Sequence, residues 1–361
     1  MNLKENDVIF LSNVNSDVTG YEEYHEHFYN LQKEYLIADD KRKDEIIEEI
    51  VNIYYDKKIF PNKYYCIDSL KTELLQLREK NIPIVNYKLT TNINTGNKTC
   101  KTFCNNIHKG KSKTKNLSEL SSFCNRKIFK KTVKFKLKHG QCHSPNAIRG
   151  GFALAGGSVQ NFLPSRAKAI YDHFCKDGDV IYDFSAGFGG RMLGAMASKH
   201  NVKYIGIEPN TETFDNLQRL GDFICNTYNK NFGDHVKLYK DVSEDFILPA
   251  NTVDLAFSSP PYFDIERYTD EPTQCYNRFP QYDSWINGYV YPTMENIKNC
   301  LKVGGKVLIN IADNKKYKLY SDWKTICEDI GLKYIGTIEM YINKRPTNKI
   351  NLEGILIFEK V

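Results

Sequence analysis

The run "VIYDFSAGFGGRM" (180–192) decides the fold, because it joins a buried strand to a helix through a glycine-rich turn. Its first residues are the continuous apolar run expected of a strand buried on both faces. The residues that follow, "GGRMLGAMASKH" (189–200), have a helical pattern. Gly187, Gly189 and Gly190 would let the backbone of this turn approach a ligand closely.

The same strand–helix alternation continues to the end of the chain. Four further strands are predicted, each separated from the next by a helix or a short connection: "VKYIGIEPN" (202–210), "HVKLYKD" (235–241), "TVDLAFSS" (252–259) and "KVLINIAD" (306–313). Two last strands, "LKYIGTIEMYI" (332–342) and "NLEGILIFEKV" (351–361), have no helix between them. The pattern predicts an α/β protein with a doubly wound, mostly parallel sheet and an antiparallel C-terminal hairpin at its edge.

Length and composition limit the class of protein. The 361 residues, 41% hydrophobic and 26% charged, fit a globular protein of two domains. No apolar run approaches the ~20 residues that span a bilayer. The first residues lack the basic-then-apolar order of a secretory signal, so the ten cysteines are expected to be reduced thiols. We therefore expect a cytoplasmic protein without a membrane partner.

Positive charge is concentrated in residues 98–138. This segment holds thirteen Lys and Arg residues against one acid, Glu119, whereas the whole chain carries a net charge of only +6. Such a concentration is typical of a polyanion-binding face, although a solvated basic linker stays open. Four phenylalanines interleave the lysines, which a linker more often lacks. The predicted nucleic-acid contacts are Lys109, Lys111, Lys113, Lys115, Arg126, Lys127, Lys130 and Lys131.

Residues 1–145 are predicted to form a mainly helical, basic N-terminal region for nucleic-acid recognition, and 146–361 a second domain built around the sheet. Ile46, Ile50 and Tyr54 share one face of a helix that begins at Asp39 or Asp40. A second helix is predicted over 68–80, with Asp68 as its N-cap. The run "KTVKFKLK" (131–138) alternates polar and apolar residues.

The end of the second strand indicates the kind of ligand. Glu208 ends that strand, where an acid accepts hydrogen bonds from both hydroxyls of a ribose. The third glycine of a dinucleotide fingerprint would fall on Met192, and the chain has no P-loop. A nucleoside without a phosphate chain is favoured, and S-adenosyl-L-methionine fits.

Two motifs carry a resemblance to a known family. "VIYDFSAGFGGRM" resembles the first motif of Rossmann-like class I methyltransferases. "SSPPY" (258–262) resembles the catalytic motif of the S-adenosylmethionine-dependent DNA amino-methyltransferases, which act on N4 of cytosine or N6 of adenine. Many relatives have "DPFxGSG" where this chain has "DFSAGFG".

The resemblance implies a seven-stranded sheet over residues ~150–361 and a set of cofactor contacts. The methionine moiety would be lined by Asp183, Gly187 and Gly189, with Ser185 in the same turn. Glu208 would hold the ribose and Asp241 the adenine amine. The segment 156–174 is similar to the one that closes over the cofactor, which adds Phe162 and Pro164.

The resemblance also gives the proline corner a chemical role. An exocyclic base amine is a poor nucleophile because its lone pair is delocalised into the ring. The Ser259 hydroxyl and the Pro260 carbonyl would accept its two hydrogens and direct its lone pair at the methyl group, while Pro260 and Pro261 keep the backbone stiff. Tyr262 would stack on the extruded base. A serine in the first position favours cytosine N4 over adenine N6.

Several alternatives stay open. The same chemistry could act on RNA, as in guanine-N2 enzymes, or on protein glutamine, although the basic segment disfavours the latter. A third interpretation is that the chain is a non-catalytic nucleic-acid-binding subunit. A specificity subunit, a homodimer and a role in restriction-modification are compatible with the sequence. Arg267, Tyr268 and Tyr276, in the long stretch after the corner, either touch the nucleic acid or pack that stretch.

No metal is predicted. Zinc would need four ligands, and only one loose C-x-x-x-C pair is present, so buried thiols are favoured. The candidates considered are Cys100, Cys104, His108, Cys124, Cys142 and His143.

Overall fold

The computed structural model describes residues 1–10, 21–63, 65–91, 93–112, 115–344 and 350–361. Its contacts divide the chain into two units. The helical unit comprises Met1–Ile67, Asn105–Gln160 and Ile265–Tyr268, and the sheet unit comprises Asp68–Cys104, Asn161–Asp264 and Thr269–Val361. These units do not follow the single domain boundary predicted at residue 145. Residues 68–104 belong to the sheet unit, and residues 146–160 belong to the helical unit. No helix within the described residues is long and apolar enough to cross a bilayer.

The helical unit is built from five α-helices and three short 3-10 turns among its described residues. The α-helices are His25–Ile37, Asp40–Lys57, Glu119–Cys124, Arg126–Lys138 and Pro145–Gly156, and the 3-10 turns are Glu5–Asp7, Glu22–Tyr24 and Asn105–Lys109. A short antiparallel pair joins Lys111–Ser112 to Glu266–Arg267.

Side-chain caps and an aromatic core explain these helices. Asp39 caps Asp40–Lys57 by accepting from the Arg42 N–H at 2.8 Å, as its position predicts. Asn125 caps Arg126–Lys138 in the same way through the Ile128 N–H. The apolar faces meet in a core that contains Tyr54, Phe129 and other fully buried rings.

The sheet of the other unit has seven main strands. They are β1 (Val180–Asp183), β2 (Lys203–Ile207), β3 (Val236–Tyr239), β4 (Val253–Ser258), β5 (Leu301–Asn310), β6 (Leu332–Lys344) and β7 (Ile350–Lys360). Their order is β6-β7-β5-β4-β1-β2-β3, and a two-residue strand, Lys88–Leu89, lies parallel to β6 at the edge. β7 is antiparallel to both β5 and β6. This arrangement confirms the predicted Rossmann-like class I sheet with its antiparallel C-terminal hairpin, but the antiparallel strand, β7, lies between β5 and β6 and not at the edge of the sheet.

The strand order fixes where a ligand can bind. The chain runs outward through β1, β2 and β3 and then returns to β4 on the other side of β1. A crevice opens at such a reversal, beyond the carboxyl ends of the strands. Ile181 of β1 pairs with Leu255 of β4, so the glycine-rich turn and the proline corner follow neighbouring strands.

Three α-helices precede β1, namely Ile67–Glu79, Asn97–Phe103 and Pro164–Phe174. The connections between the seven strands contain the α-helices Gly190–Met196, Thr211–Thr227, Phe232–His235, Cys275–Arg278, Tyr282–Trp285, Tyr291–Cys300 and Leu319–Asp329, with a π-helix at Ile286–Val290. Leu70, Leu74 and Leu77 are fully buried, as predicted. Asp68, by contrast, lies within the first turn of its helix, which begins one residue before it.

Candidate active site

The backbone of the glycine-rich turn after β1 has a conformation that residues with a side chain rarely adopt. Gly187 and Gly189 have φ angles of +57° and +79°, in the left-handed region. A Cβ on the next residue, Gly190, would overlap the carbonyl oxygen of Phe162. The turn is therefore held against the segment at Phe162, which the sequence assigned to the cofactor pocket.

Asp183, the last residue of β1, is fully buried and accepts four hydrogen bonds. One carboxylate oxygen accepts from Arg191 Nε at 2.8 Å and from the Tyr204 hydroxyl at 2.7 Å. The other accepts from the Ser258 hydroxyl at 2.8 Å and the Ser185 N–H at 3.3 Å. This carboxylate therefore links β1, β2, β4 and the helix Gly190–Met196.

Arg191 is part of the same buried cluster. Burial alone would lower the pKa of its guanidinium, but the adjacent Asp183 raises that pKa above its usual value. Arg191 also donates to the Ser185 carbonyl, and its guanidinium lies 5.8 Å from the centre of the Phe162 ring. It thus fixes the turn from within.

Glu208, directly after β2, is almost fully buried beside this turn. Its two oxygens accept from the Gly187 N–H and the Asn210 N–H, each at 2.9 Å. A carboxylate has about four acceptor positions, so about two remain for a ligand. Burial raises the pKa of Glu208 to about 8, against the lowering effect of the two N–H groups.

The remaining predicted cofactor residues have different settings. Phe162 is half-buried, with its ring edge-on to Phe257 at 5.3 Å. The Ser185 hydroxyl donates to the Phe184 carbonyl and lies 3.3 Å from the Tyr289 hydroxyl. Asp241 follows β3, is exposed, and accepts from the Val242 N–H at 2.8 Å.

The proline corner begins where β4 ends. Pro260 is buried, whereas Ser259, Pro261 and Tyr262 are half-buried. The Tyr262 hydroxyl donates to Glu353 on β7, and the Asn310 carbonyl at the end of β5 lies 3.4 Å from it. The corner closes at Phe263, whose φ of +58° is unusual for a residue with a large side chain. Three neighbouring strands thus hold this corner.

Glu353 and Arg166 lie behind Tyr262. Burial raises the pKa of Glu353 above its usual value, while the Tyr262 hydroxyl and the nearby Arg166 act in the opposite direction. Arg166 donates to the Thr91 and Tyr341 carbonyls. These contacts place a half-buried carboxyl group at the hydroxyl of the tyrosine that is predicted to stack on a base.

The predicted nucleic-acid residues lie in the helical unit, except Lys113, which is outside the described residues. Lys127 and Lys131 are exposed. Arg126 and Lys130 both pair with Glu48. Lys109 and Lys111 are half-buried, and exposed Lys115 donates to the Leu154 carbonyl.

The cysteines considered as metal ligands are buried free thiols. Cys100 and Cys104 belong to the sheet unit, and Cys124 and Cys142 to the helical unit. Burial raises the pKa of the Cys124 and Cys142 thiols to about 12. In the described part of the chain, no three His, Cys, Asp or Glu side chains form a metal-binding group. His108 instead contacts Glu119 at 2.6 Å.

The stretch after the corner contains the two-residue strand Glu266–Arg267 and two short helices, Cys275–Arg278 and Tyr282–Trp285. Tyr276 is buried, and its hydroxyl donates to the Thr269 carbonyl at 2.8 Å. The half-buried Tyr268 donates to Glu266 at 2.7 Å, whereas Arg267 is exposed. Tyr276 therefore packs the stretch.

Sequence reasoning missed four residues of this site: Arg191, Tyr204, Ser258 and Glu353. Arg191 follows the last glycine directly, and Ser258 precedes the corner. A charged or polar residue in an otherwise apolar buried element was the available signal for these two. Tyr204 and Glu353 make contacts 21 and 91 residues away in sequence, which no local pattern reveals.

No protein-family model and no curated protein matches the chain. Among solved structures, it is similar to a methyltransferase from Pyrococcus furiosus, with 20% identity over 55% of this chain and 82% of the other, and a TM-score of 0.38. A TehB-like SAM-dependent methyltransferase from Corynebacterium glutamicum has 14% identity over 56% and 90%, with a TM-score of 0.36. TrmN from Thermus thermophilus has 10% identity over 55% and 49%, with a TM-score of 0.37.

Proposed function

We propose that this chain is an S-adenosylmethionine-dependent methyltransferase that modifies an exocyclic amine of a DNA base, with N4 of cytosine favoured over N6 of adenine. The observation that carries the proposal is the 2.8 Å hydrogen bond between Ser258 and Asp183. It ties the residue directly before the S-P-P-Y corner to the end of the strand that leads into the glycine-rich turn. A donor-binding turn and a base-binding corner at one strand reversal are what the transfer requires.

The residues present fit the donor. Glu208 keeps about two acceptor positions after its bonds to Gly187 and Asn210, enough for two ribose hydroxyls. The turn carries no side chain at Gly187, where a ligand would approach the backbone. S-adenosylmethionine would supply an electrophilic methyl group. Asp183 would keep the glycine-rich turn in the position that receives the methionine moiety.

The corner fits the acceptor. The Ser259 hydroxyl and the Pro260 carbonyl would each accept one amine hydrogen, so that the nitrogen lone pair turns toward the methyl group. Tyr262 would stack on the base, and the bond from its hydroxyl to Glu353 would hold the ring in place. Prefixed acceptors of this kind need little rearrangement during the reaction.

The proposal is tested by product analysis. The protein is incubated with labelled methyl donor and either DNA or RNA, the nucleic acid is digested, and the methylated nucleoside is identified. We expect label in N4-methylcytosine from DNA, with N6-methyladenine as the next candidate. The Ser259→Ala variant, which leaves the donor side intact, serves as the matched control. Label found only in RNA or protein would overturn the assignment of DNA as the substrate. Failure to bind S-adenosylhomocysteine would overturn the assignment of S-adenosylmethionine as the methyl donor.

A further inference from the structure

The helix Arg126–Lys138 of the helical unit has two chemically distinct faces. Phe129, Val133 and Leu137 are fully buried in the core of the unit. On the opposite face four lysines follow at intervals of four, three and four residues, which is the spacing of one helical face. This lysine stripe consists of Lys127, Lys131, Lys134 and Lys138, and all four are exposed.

The lysine stripe differs from the other cations of the same helix. Arg126 and Lys130 share the carboxylate of Glu48, and the buried Lys136 donates to Gln141 at 3.1 Å. For the four stripe lysines, no ion pair or side-chain hydrogen bond is found among the described residues. The sequence 126–138 also contains no acid that could pair with them. Within the described part of the chain, their charges are therefore uncompensated.

Helix stability does not explain the stripe. Like charges three or four residues apart on a helix repel each other, and the stripe contains three such neighbouring pairs. The apolar face and the Asn125 cap already hold the helix in place. Binding of a polyanion would relieve this repulsion.

The dimensions of the stripe suit a nucleic-acid backbone. Lys127 and Lys138 are eleven residues apart, or about 16 Å along the helix axis at 1.5 Å per residue. One strand of duplex DNA places a phosphate every ~3.4 Å of axis, so about five phosphates fall within the length of the stripe. Four flexible ammonium groups can follow them without reading the base sequence.

We propose that the lysine stripe is a sequence-independent DNA backbone-binding surface. The choice of DNA rests on the proposed function, whereas the polyanion character rests on the stripe itself. The surface adds Lys134 and Lys138 to the predicted contacts. It leaves out Arg126 and Lys130, which share the single carboxylate of Glu48.

The test is DNA binding without methyl donor. Fluorescence anisotropy with a labelled duplex is measured between 50 and 200 mM salt for the wild type and for the variant Lys127→Ala/Lys131→Ala/Lys134→Ala/Lys138→Ala. Each phosphate contact contributes about 0.9 to the slope of log K against log salt, so the slope is expected to fall by about 3 to 4. Affinity at 100 mM salt is expected to fall at least tenfold. Replacement of the four by arginine should restore both.

A charge-matched control removes four exposed lysines of the sheet unit that likewise lack a described side-chain partner, namely Lys199, Lys203, Lys237 and Lys333. We expect it to bind DNA within threefold of the wild type. Equal losses in both variants, or an unchanged slope in the stripe variant, would overturn the proposal. The proposal would also be overturned if the stripe variant lost binding to an RNA hairpin or to anionic lipid vesicles but kept its binding to DNA. A stripe that binds DNA in a protein that methylates no base would refute the proposed function alone.

Discussion

The affinity of the protein for a nucleoside is expected to depend on the protonation of Glu208. Burial raises the pKa of this carboxyl group to about 8, so most molecules carry it protonated at pH 7. Only the ionised group can accept from the Gly187 and Asn210 N–H groups and from two ribose hydroxyls together. We therefore expect S-adenosylhomocysteine to bind more tightly as pH rises toward 8.

The size of the effect follows from the pKa. One pKa unit corresponds to 1.36 kcal/mol, so ionising Glu208 at pH 7 costs about 1.4 kcal/mol and weakens binding about tenfold relative to the plateau above pH 8. At pH 6 the factor is about 100. At pH 7 roughly 0.9 protons are expected to leave the protein for each ligand bound.

Folding stability is expected to respond in the opposite direction. The folded-state pKa of Glu208 lies above the usual 4.5 of a glutamate. The contribution of this group to stability is therefore complete below pH 4.5 and is lost as pH rises through 8. Bound nucleoside should reduce this loss, because it favours the ionised form.

Isothermal titration calorimetry from pH 6 to 9, in two buffers of different ionisation enthalpy, measures both the affinity and the proton release. Glu208→Gln should bind weakly and without pH dependence. Asp254→Asn is the control, because Asp254 pairs with Lys302 near the start of β4, at the other end of the sheet. Its pH dependence should match the wild type. A wild-type affinity that varies by less than threefold over this range would refute the role given to Glu208.

Three further results are expected. Ser259→Ala should slow methyl transfer about 100-fold in a single-turnover assay and leave S-adenosylhomocysteine affinity within twofold, because the hydroxyl acts on the base amine; transfer at wild-type speed would contradict this. Tyr262→Phe, which keeps the ring but loses the bond to Glu353, should raise KM for DNA severalfold with a smaller change in kcat, whereas Tyr262→Ala should impair both. Gly190→Ala should cost about 2–4 kcal/mol in urea unfolding, since its Cβ would overlap the Phe162 carbonyl. The control Gly233→Ala, whose Cβ would meet only Asn231 at 3.7 Å, should stay within about 1 kcal/mol.

The sheet could be predicted from sequence because each of its signals is local. Buried apolar runs, glycine turns and the absence of a helix before β7 are all visible within a few residues. The aromatic and aliphatic face of Asp40–Lys57 was equally visible from its spacing. The short strand Lys88–Leu89 was not, since two residues carry no periodicity.

The helix Arg126–Lys138 shows where local pattern was insufficient. The alternation of "KTVKFKLK" is that of a strand, yet these residues are helical. The helical period becomes visible only when the residues before 131 are included, because Phe129, Val133 and Leu137 lie four residues apart. Packing of this face into the aromatic core outweighs the alternation.

The site itself depends on contacts that no local pattern contains. Asp183 accepts from Ser258 with one oxygen and from Arg191 and Tyr204 with the other, so the proline corner and the glycine-rich turn share a single buried charge. Removing one partner of such a buried pair typically costs about 3–5 kcal/mol, because the remaining charge is left without compensation. A displacement of the glycine-rich turn would therefore also disturb the proline corner. If the chain transfers a methyl group as proposed, this shared carboxylate keeps the glycine-rich turn and the proline corner in register.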